Sequence, residues 1–209
     1  IHSFTVGPFQ ENTYLLYNTT EAWIVDPGFY DSSEQQFLFD FLEEKKLKLT
    51  RNLNTHAHID HVMGNAFILD KFGLLPEMHK ADLPTLHMAE QAAKLYNLNY
   101  DVSPEPKDFL EEGMPMLFGR EELEVLFVPG HAPGHVAFVN HKEKWVINAD
   151  CLFSGSIGRT DLPGGDMETL ITSIKTKLLS LPNDYVVYCG HGPETTIGVE
   201  KSSNPFLKD

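Results

Sequence analysis

The densest group of reactive side chains lies in six consecutive residues, His56 to His61, which read His-Ala-His-Ile-Asp-His. They follow a short apolar segment, 49–54, that is typical of a β-strand. Imidazole nitrogens and carboxylate oxygens are the usual protein ligands of zinc, iron and manganese. Residues two apart project the same way in an extended segment, so His56 and His58 can bind one ion together. Asp60 and His61, at the predicted start of a helix, can turn toward a neighbouring ion.

A second candidate ligand lies in a Pro-Gly-His turn that follows the predicted strand 123–128. Glycine and proline fix such tight turns. Two histidines compete here, His131 and His135. We predict that His131 is the ligand, because it is nearer the strand end, and that His135 has a structural role or supports a ligand.

Two further candidates also stand where an apolar strand stops. Asp150 follows the apolar run 145–149, where a carboxylate is costly unless it is paired or bound to metal. One aspartate can bridge two cations. His191 has a glycine on each side, which suits close backbone approach in a crowded site.

These side chains together predict a hydrolase with two divalent metal ions, zinc being favoured and iron or manganese being alternatives. Water bound to such an ion reaches a pKa of about 7, so hydroxide is available near neutral pH. Asp60 and Asp150 are the predicted catalytic residues, Asp60 orienting the nucleophile as well as binding metal. Asp26 and Thr55 are predicted to hold the imidazoles from behind.

Length and composition indicate one globular domain over residues 1–209. The net charge of -14 argues against a nucleic-acid partner, which would require tracks of Lys and Arg. Cys151 and Cys189 are too few for a disulfide scaffold, are predicted to be buried and unreactive, and indicate a cytoplasmic protein. No apolar stretch approaches the roughly 20 residues that cross a bilayer, so we expect no membrane partner. The expected partner is a small-molecule substrate, and the sequence does not indicate an oligomeric state.

Short apolar runs alternate with amphipathic segments, which is typical of an α/β protein. The predicted strands are 12–17, 22–26, 49–54, 123–128, 136–140, 145–148 and 185–188. The predicted helices are 32–46, 61–71, 81–95 and 167–179. The first is predicted to be capped by Ser32 or Ser33, with one face made of Phe37, Leu38, Phe41 and Leu42. The second is predicted to end at Gly73, and the last has an apolar stripe made of Leu170, Ile171, Ile174 and Leu178. Residues 97–116 are predicted to form a loop that lines the pocket.

The order of these ligands resembles that of the metallo-β-lactamase superfamily, and of its glyoxalase II branch in particular. The resemblance rests on the H-x-H-x-D-H run, the later G-H turn, the strand-ending aspartate and the final G-H-G. It also includes the Asp-Pro-Gly turn at 26–28 and the stretch 158–166. It covers nearly the whole chain and is greatest for small bacterial glyoxalase II-like hydrolases.

The resemblance implies an αββα sandwich, with two mixed β-sheets face to face and helices outside. It implies that the first metal is bound by His56, His58 and His131, that the second is bound by Asp60, His61 and His191, and that Asp150 and a hydroxide bridge them. It also implies cleavage of a thioester such as S-lactoylglutathione.

The chain departs from the glyoxalase II pattern at two places. Only 18 residues follow His191, so we expect that the C-terminal helical extension that helps to hold glutathione is absent. Arg159 and Thr160 lie where that branch has a lysine and a tyrosine. Arg159 is the predicted substrate-binding residue, since a guanidinium can hold a carboxylate through two parallel hydrogen bonds.

Other readings of the same residues remain open. A mononuclear iron persulfide dioxygenase of the superfamily would use His56, His131 and Asp150 as a facial triad. A second alternative is a lactonase or a β-lactamase, of which lactam cleavage is the less favoured because the strand-ending Asp150 favours a bridged pair of ions. A third is a catalytically silent metal-binding or interaction module, which a missing ligand would support, and none is missing. Metal content and oxygen consumption separate the dioxygenase from the hydrolases.

Overall fold

A computed structural model describes residues 1–208, which form two compact units. Unit 1 comprises Ile1–Met78 and Leu83–Phe109, and unit 2 comprises His79–Asp82 and the chain from Leu110 onward. The prediction of a single domain stays a prediction. Within residues 1–208, no helix is both long enough and apolar enough to span a membrane.

Unit 1 is built on a five-stranded mixed sheet in the order β1-β2-β3-β4-β5. Its strands are β1 (His2–Val6), β2 (Glu11–Tyr17), β3 (Glu21–Val25), β4 (Lys48–Leu53) and β5 (Pro76–Glu77). The first three strands are antiparallel, and β3, β4 and β5 are parallel. The predicted strands 12–17, 22–26 and 49–54 are confirmed as β2, β3 and β4, whereas β1 and β5 were not predicted.

The helices of unit 1 are α1 (Ser32–Lys45), α2 (Ile59–Val62), α3 (Asn65–Phe72) and α4 (Leu83–Tyr96). The predicted cap of α1 at Ser32 or Ser33 is wrong. Asp31 is the cap, because its carboxylate accepts hydrogen bonds from the backbone N–H groups of Ser33 and Glu34. Phe37 is also wrongly placed on the buried face, since its side chain is 51% exposed.

The predicted continuous helix 61–71 is wrong because the chain breaks at Met63 and Gly64 between α2 and α3. The N–H of Gly64 donates to the carbonyl of Pro27 at 2.7 Å. A Cβ atom on Gly64 would lie 2.5 Å from that oxygen, so only glycine allows this approach. The predicted end at Gly73 is confirmed, with φ of +69° and its N–H bonded to the Leu69 carbonyl.

Unit 2 is built on a six-stranded mixed sheet in the order β13-β12-β9-β8-β7-β6. Its strands are β6 (Met116–Phe118), β7 (Glu121–Phe127), β8 (Val136–Asn140), β9 (Trp145–Ala149), β12 (Val186–Cys189) and β13 (Thr195–Thr196), and a separate hairpin pairs β10 (Leu152–Phe153) with β11 (Ser156–Ile157). Strands β9 and β12 are parallel, and the other neighbours are antiparallel. All four strands predicted for this part of the chain are confirmed.

The helices of unit 2 are a 3-10 turn (Lys80–Asp82), α5 (Met167–Ser173), which continues as a π-helix (Ile174–Leu178), and α6 (Ile197–Ser203). The predicted helix 167–179 is confirmed in extent, and Leu170, Ile174 and Leu178 are fully buried against the sheet core. The predicted helix 81–95 divides into the 3-10 turn and α4. Residues 97–115 lie outside helices and strands, and β6 begins at Met116.

The predicted α/β fold class is confirmed, because each unit contains a mixed β-sheet together with helices. Asp150 follows β9, and His191 follows β12, two residues beyond Cys189. Because β9 and β12 run parallel as neighbours, their carboxyl ends lie at the same edge of the sheet. This edge is where a rigid scaffold can present ligands from different strands.

Candidate metal centre

In unit 1 the His56–His61 run leaves β4 as an extended segment and then enters α2. His58 has extended backbone angles at the helix start, and Asp60 and His61 lie in the first turn. The rings of His56 and His58 are 4.8 Å apart between centroids, and those of His56 and His61 are 4.1 Å apart. Asp60 Oδ2 lies 3.8 Å from His61 Nε2. The structure therefore brings the four predicted ligands of this run together.

Asp26 holds this run from behind, at the end of β3. Its Oδ1 accepts the backbone N–H of Thr55 at 2.7 Å, and its Oδ2 accepts the Thr55 hydroxyl at 2.6 Å. The same Oδ2 lies 3.0 Å from His61 Nδ1, and Thr55 Oγ1 lies 3.0 Å from His56 Nδ1. Fixing each imidazole through Nδ1 leaves Nε2 to face a metal ion. The prediction for Asp26 and Thr55 agrees with these contacts.

Asp26 could itself be a ligand, because its carboxylate, His56 and His61 offer donor atoms within 4.8 Å of one another. Its hydrogen bonds argue for the supporting role. Both carboxylate oxygens accept from Thr55, and one of them also contacts the ring nitrogen of His61 that faces away from Asp60.

Glu11 is a buried carboxyl group beside this cluster that the sequence analysis missed. Its side chain is 1% exposed, and its Oε1 lies 3.8 Å from His61 Nδ1. Its Oε2 accepts the hydroxyl of Thr13 at 2.8 Å. Burial raises the pKa of Glu11 well above its usual value. The available signal in the sequence was an acidic residue at the start of β2, directly before the segment 12–17 that was predicted to be a strand.

In unit 2 a single carboxylate oxygen lies between two imidazoles. Asp150 Oδ2 is 3.4 Å from His131 Nε2 and 3.6 Å from His191 Nε2. Asp150 and His131 are buried, whereas the His191 side chain is 29% exposed. The structure brings these three predicted ligands together at the sheet edge.

The backbone at Gly158 and Arg159 sets the direction of the His131 ring. The carbonyl of Arg159 lies 2.8 Å from His131 Nδ1, so this ring nitrogen donates to it and Nε2 faces Asp150. A Cβ atom on Gly158 would lie 1.9 Å from the Asp150 carbonyl oxygen and 3.0 Å from His131 Nδ1. Glycine is therefore required where this segment passes Asp150 and His131, the two predicted ligands, a role that the sequence analysis did not assign.

The guanidinium of Arg159 forms two parallel hydrogen bonds with Asp161, Nε to Oδ1 at 2.7 Å and Nη2 to Oδ2 at 2.8 Å. These hydrogen bonds lower the pKa of Asp161 to about 2. Both side chains are more than half exposed. The fork of Arg159 is thus set in the geometry that accepts a carboxylate, and its substrate-binding role stays a prediction.

His135, Cys151 and Cys189, which were not predicted to be metal ligands, are all buried. His135 is fully buried, and its carbonyl accepts the N–H of Val128 at 2.8 Å. Cys151 and Cys189 are buried thiols that form no disulfide, and burial raises the pKa of Cys189 to about 12. The Cys151 thiol donates to the Val128 carbonyl at 3.3 Å. The predicted burial of both cysteines is confirmed, and their lack of reactivity stays a prediction.

The donor set of both clusters is made of imidazole nitrogens and carboxylate oxygens, with no thiolate among the predicted ligands. This chemistry fits divalent first-row metals such as zinc, iron and manganese. The second ring nitrogens of three of the imidazoles, on His56, His61 and His131, each lie within 3.0 Å of an oxygen atom. Such support is what metal-binding histidines require.

Comparison with known proteins gives matches over almost the full chain. A sequence model of the metallo-beta-lactamase superfamily matches residues 6–191. The chain is 40% identical to hydroxyacylglutathione hydrolase GloC of Haemophilus influenzae, over 99% of this chain and 97% of that protein. Its structure is similar to the crystal structure of the B3 metallo-beta-lactamase BLEG-1, with a TM-score of 0.90, 35% identity, and coverage of 100% of this chain and 99% of that one. It is also similar to the crystal structure of TTHA1623 in a di-iron-bound form, with a TM-score of 0.88, 42% identity, and coverage of 99% of this chain and 100% of that one.

Proposed function

Because this chain belongs to the metallo-β-lactamase superfamily, we propose that it is a dinuclear metal-dependent hydrolase that cleaves thioesters. The superfamily match supports a metal-binding hydrolase, and the choice of thioesters as substrates is our own inference. That step is supported by the 40% identity to a protein named as a hydroxyacylglutathione hydrolase. The proposed substrates are glutathione thioesters such as S-lactoylglutathione.

The observation that carries the proposal is the position of Asp150 Oδ2 between the Nε2 atoms of His131 and His191. A carboxylate that bridges two cations has to face the ligands of both, and Asp150 faces an imidazole on each side. We assign His56, His58 and His131 to the first ion, Asp60, His61 and His191 to the second, and Asp150 to both. Zinc and iron both suit these donors, and the similar TTHA1623 structure is di-iron-bound.

The bound ions would supply a hydroxide nucleophile near neutral pH and polarise the thioester carbonyl. The residues of this chain position the reactants. Asp60, next to His61 in α2, has a carboxylate that can accept a hydrogen bond from the attacking water and orient it. Arg159 holds the substrate carboxylate, which replaces Asp161 as its partner. Its guanidinium thus forms two parallel hydrogen bonds with Asp161 before the substrate binds and with the substrate afterwards.

We also propose a cytoplasmic location, supported by the two buried thiols outside any disulfide, which suit a reducing compartment.

A hydrolysis screen on metal-reconstituted protein tests the proposal. It compares S-lactoylglutathione, other acyl thioesters, lactones and a β-lactam, with zinc and with iron, and it records oxygen uptake for the iron form. We expect thioester turnover at two metal ions per chain, with a loss of at least about a hundredfold in His58→Ala. The matched control is His87→Ala, which removes an exposed imidazole paired with Glu105.

Equal thioester turnover in His58→Ala and wild type would refute the proposed mechanism. Oxygen uptake with a persulfide at one iron per chain would instead favour the dioxygenase. Turnover of only the lactone or the β-lactam would keep the metal centre and replace the substrate class.

A further inference from the structure

A chain of buried carboxamides lies behind the His56–His61 run in unit 1, and neither the proposed chemistry nor the family assignment uses it. Asn52, Asn54 and Asn65 are all fully buried. Asn52 Nδ2 donates to Asn65 Oδ1 at 3.0 Å, and Asn65 Nδ2 donates to Asn54 Oδ1 at 3.0 Å. Asn54 Nδ2 then donates to the backbone carbonyl of His61 at 2.8 Å.

The direction of every hydrogen bond in this chain is fixed by one acceptor. The His61 carbonyl can only accept, so the amide nitrogen of Asn54 must face it and Oδ1 must face Asn65. Asn65 must therefore present its nitrogen to Asn54 and its oxygen to Asn52. A flipped amide at Asn65 would set oxygen against oxygen in a fully buried place, which is costly.

The second proton of Asn65 Nδ2 reaches a distant segment of the same unit. It is donated to Ser103 Oγ at 2.9 Å, and Ser103 is buried within a segment that has no helix or strand. Two further contacts connect this segment to the rest of unit 1. The Asn99 N–H donates to Tyr30 Oη at 3.3 Å, and Phe109 forms an isolated β-bridge with Met78. Ser103 therefore links residues 97–109 to the backbone of His61 through two amides.

The geometry points to Asn54, Asn65 and Ser103 as positioning residues, a carboxamide relay that couples segment 97–109 to the metal ligand His61. The inference rests on the proposed function, because it takes His61 as a ligand. The relay fixes the His61 main chain, while Asp26 fixes its ring. Any shift of segment 97–109 on substrate binding then changes the ligand geometry, and metal binding in turn steadies the segment.

Zinc affinity measured by competition with a chromophoric chelator tests the relay. His61→Ala identifies the binding step that depends on His61. Asn65→Asp keeps the shape of the side chain but sets a carboxylate oxygen against Asn54 Oδ1. We expect it to weaken that step by about 10-fold or more and to change the visible spectrum of the cobalt-substituted protein. Ser103→Ala should weaken the same step by about fivefold.

The matched control is Asn204→Asp. Asn204 is as deeply buried as Asn65, and its amide donates to Glu200 Oε2 and the Ser156 carbonyl in unit 2. It should lose stability while zinc affinity stays within about twofold of wild type. The double variant Asn65→Asp/Ser103→Ala should fall no further than Asn65→Asp alone, because both changes break one relay.

Hydrogen exchange measures the coupling directly. Zinc should slow amide exchange over residues 97–109 in wild type and in Asn204→Asp, and this slowing should disappear in Ser103→Ala. If Asn65→Asp does not fold, Ser103→Ala still decides the question by both measurements.

An unchanged zinc affinity in Ser103→Ala with zinc-dependent protection intact would overturn the relay. Additive losses in the double variant, or an equal loss in Asn204→Asp, would also overturn it. A wild-type protein that takes up no zinc would overturn the dinuclear function and the relay with it. Normal zinc binding with unaffected variants would overturn the relay alone.

Discussion

Replacing Asp26 with asparagine changes one atom and should reverse the hydrogen bonding of His61. Asp26 Oδ2 accepts from the Thr55 hydroxyl and lies 3.0 Å from His61 Nδ1, in surroundings where both side chains are buried. In Asp26→Asn, an amide nitrogen at this place would donate to Nδ1, and the ring proton would move to Nε2. A protonated Nε2 cannot bind a metal ion.

The size of the effect follows from the type of contact. Loss of a partner to the second ring nitrogen of a metal-bound histidine costs about 10–100-fold in metal affinity. This range corresponds to about 1.4–2.7 kcal/mol. We expect the upper part of the range for Asp26→Asn, because the amide replaces an acceptor by a donor in a buried place.

Chelator competition with zinc measures this change directly. The matched control is Glu200→Gln, which neutralises a fully buried carboxylate that accepts from Thr195, Asn204 and the Gly155 N–H in unit 2. Its zinc affinity should stay within about twofold of wild type. If Asp26→Asn binds both ions as wild type does, or if Glu200→Gln shows the same loss, the positioning argument for Asp26 is wrong.

Three further changes test other contacts. Glu11 has a raised pKa in the folded protein, against about 4.5 when unfolded, so its contribution to stability is full below that pH and falls as pH rises toward the folded pKa. Glu11→Gln has no proton to lose, so denaturation of the metal-free protein in chelator should show it gaining stability relative to wild type as pH rises above about 4.5; a constant difference would contradict this. Gly158→Ala would place a Cβ atom 1.9 Å from the Asp150 carbonyl oxygen and should cost about 2 kcal/mol or more of unfolding free energy in a denaturation assay. Its control is Gly113→Ala, whose Cβ atom would have no atom within 4 Å and which should cost about 1 kcal/mol in the same assay. Arg159→Ala should raise KM for S-lactoylglutathione about 10-fold or more and leave a thioester without a carboxylate unaffected in steady-state assays; equal effects on both substrates would remove its assigned role.

The errors in predicting helices have two causes. The break between α2 and α3 depends on Gly64 approaching Pro27, a residue 37 positions earlier in the chain. Periodicity over 61–71 carries no trace of that contact. The cap of α1 was missed for a local reason, since Asp31 precedes two serines that satisfy the same preference.

The sequence by itself determined which side chains could bind metal and that they stand after strands. Residue type sets donor chemistry, and the ends of apolar runs are visible in a single chain. His56, His58, Asp60, His61 and Asp150 needed no more than this.

The tertiary structure decided which atoms pair with these candidate ligands, including the partners of Asp26 and Thr55, whose supporting role the sequence analysis predicted. The Arg159 carbonyl reaches His131 over 28 positions, Asp26 reaches His61 over 35, and Asn65 reaches Ser103 over 38. Such contacts are made by backbone atoms and buried polar side chains whose partners depend on strand order and loop path. Local sequence pattern cannot encode a hydrogen bond whose two ends meet only when the chain is folded.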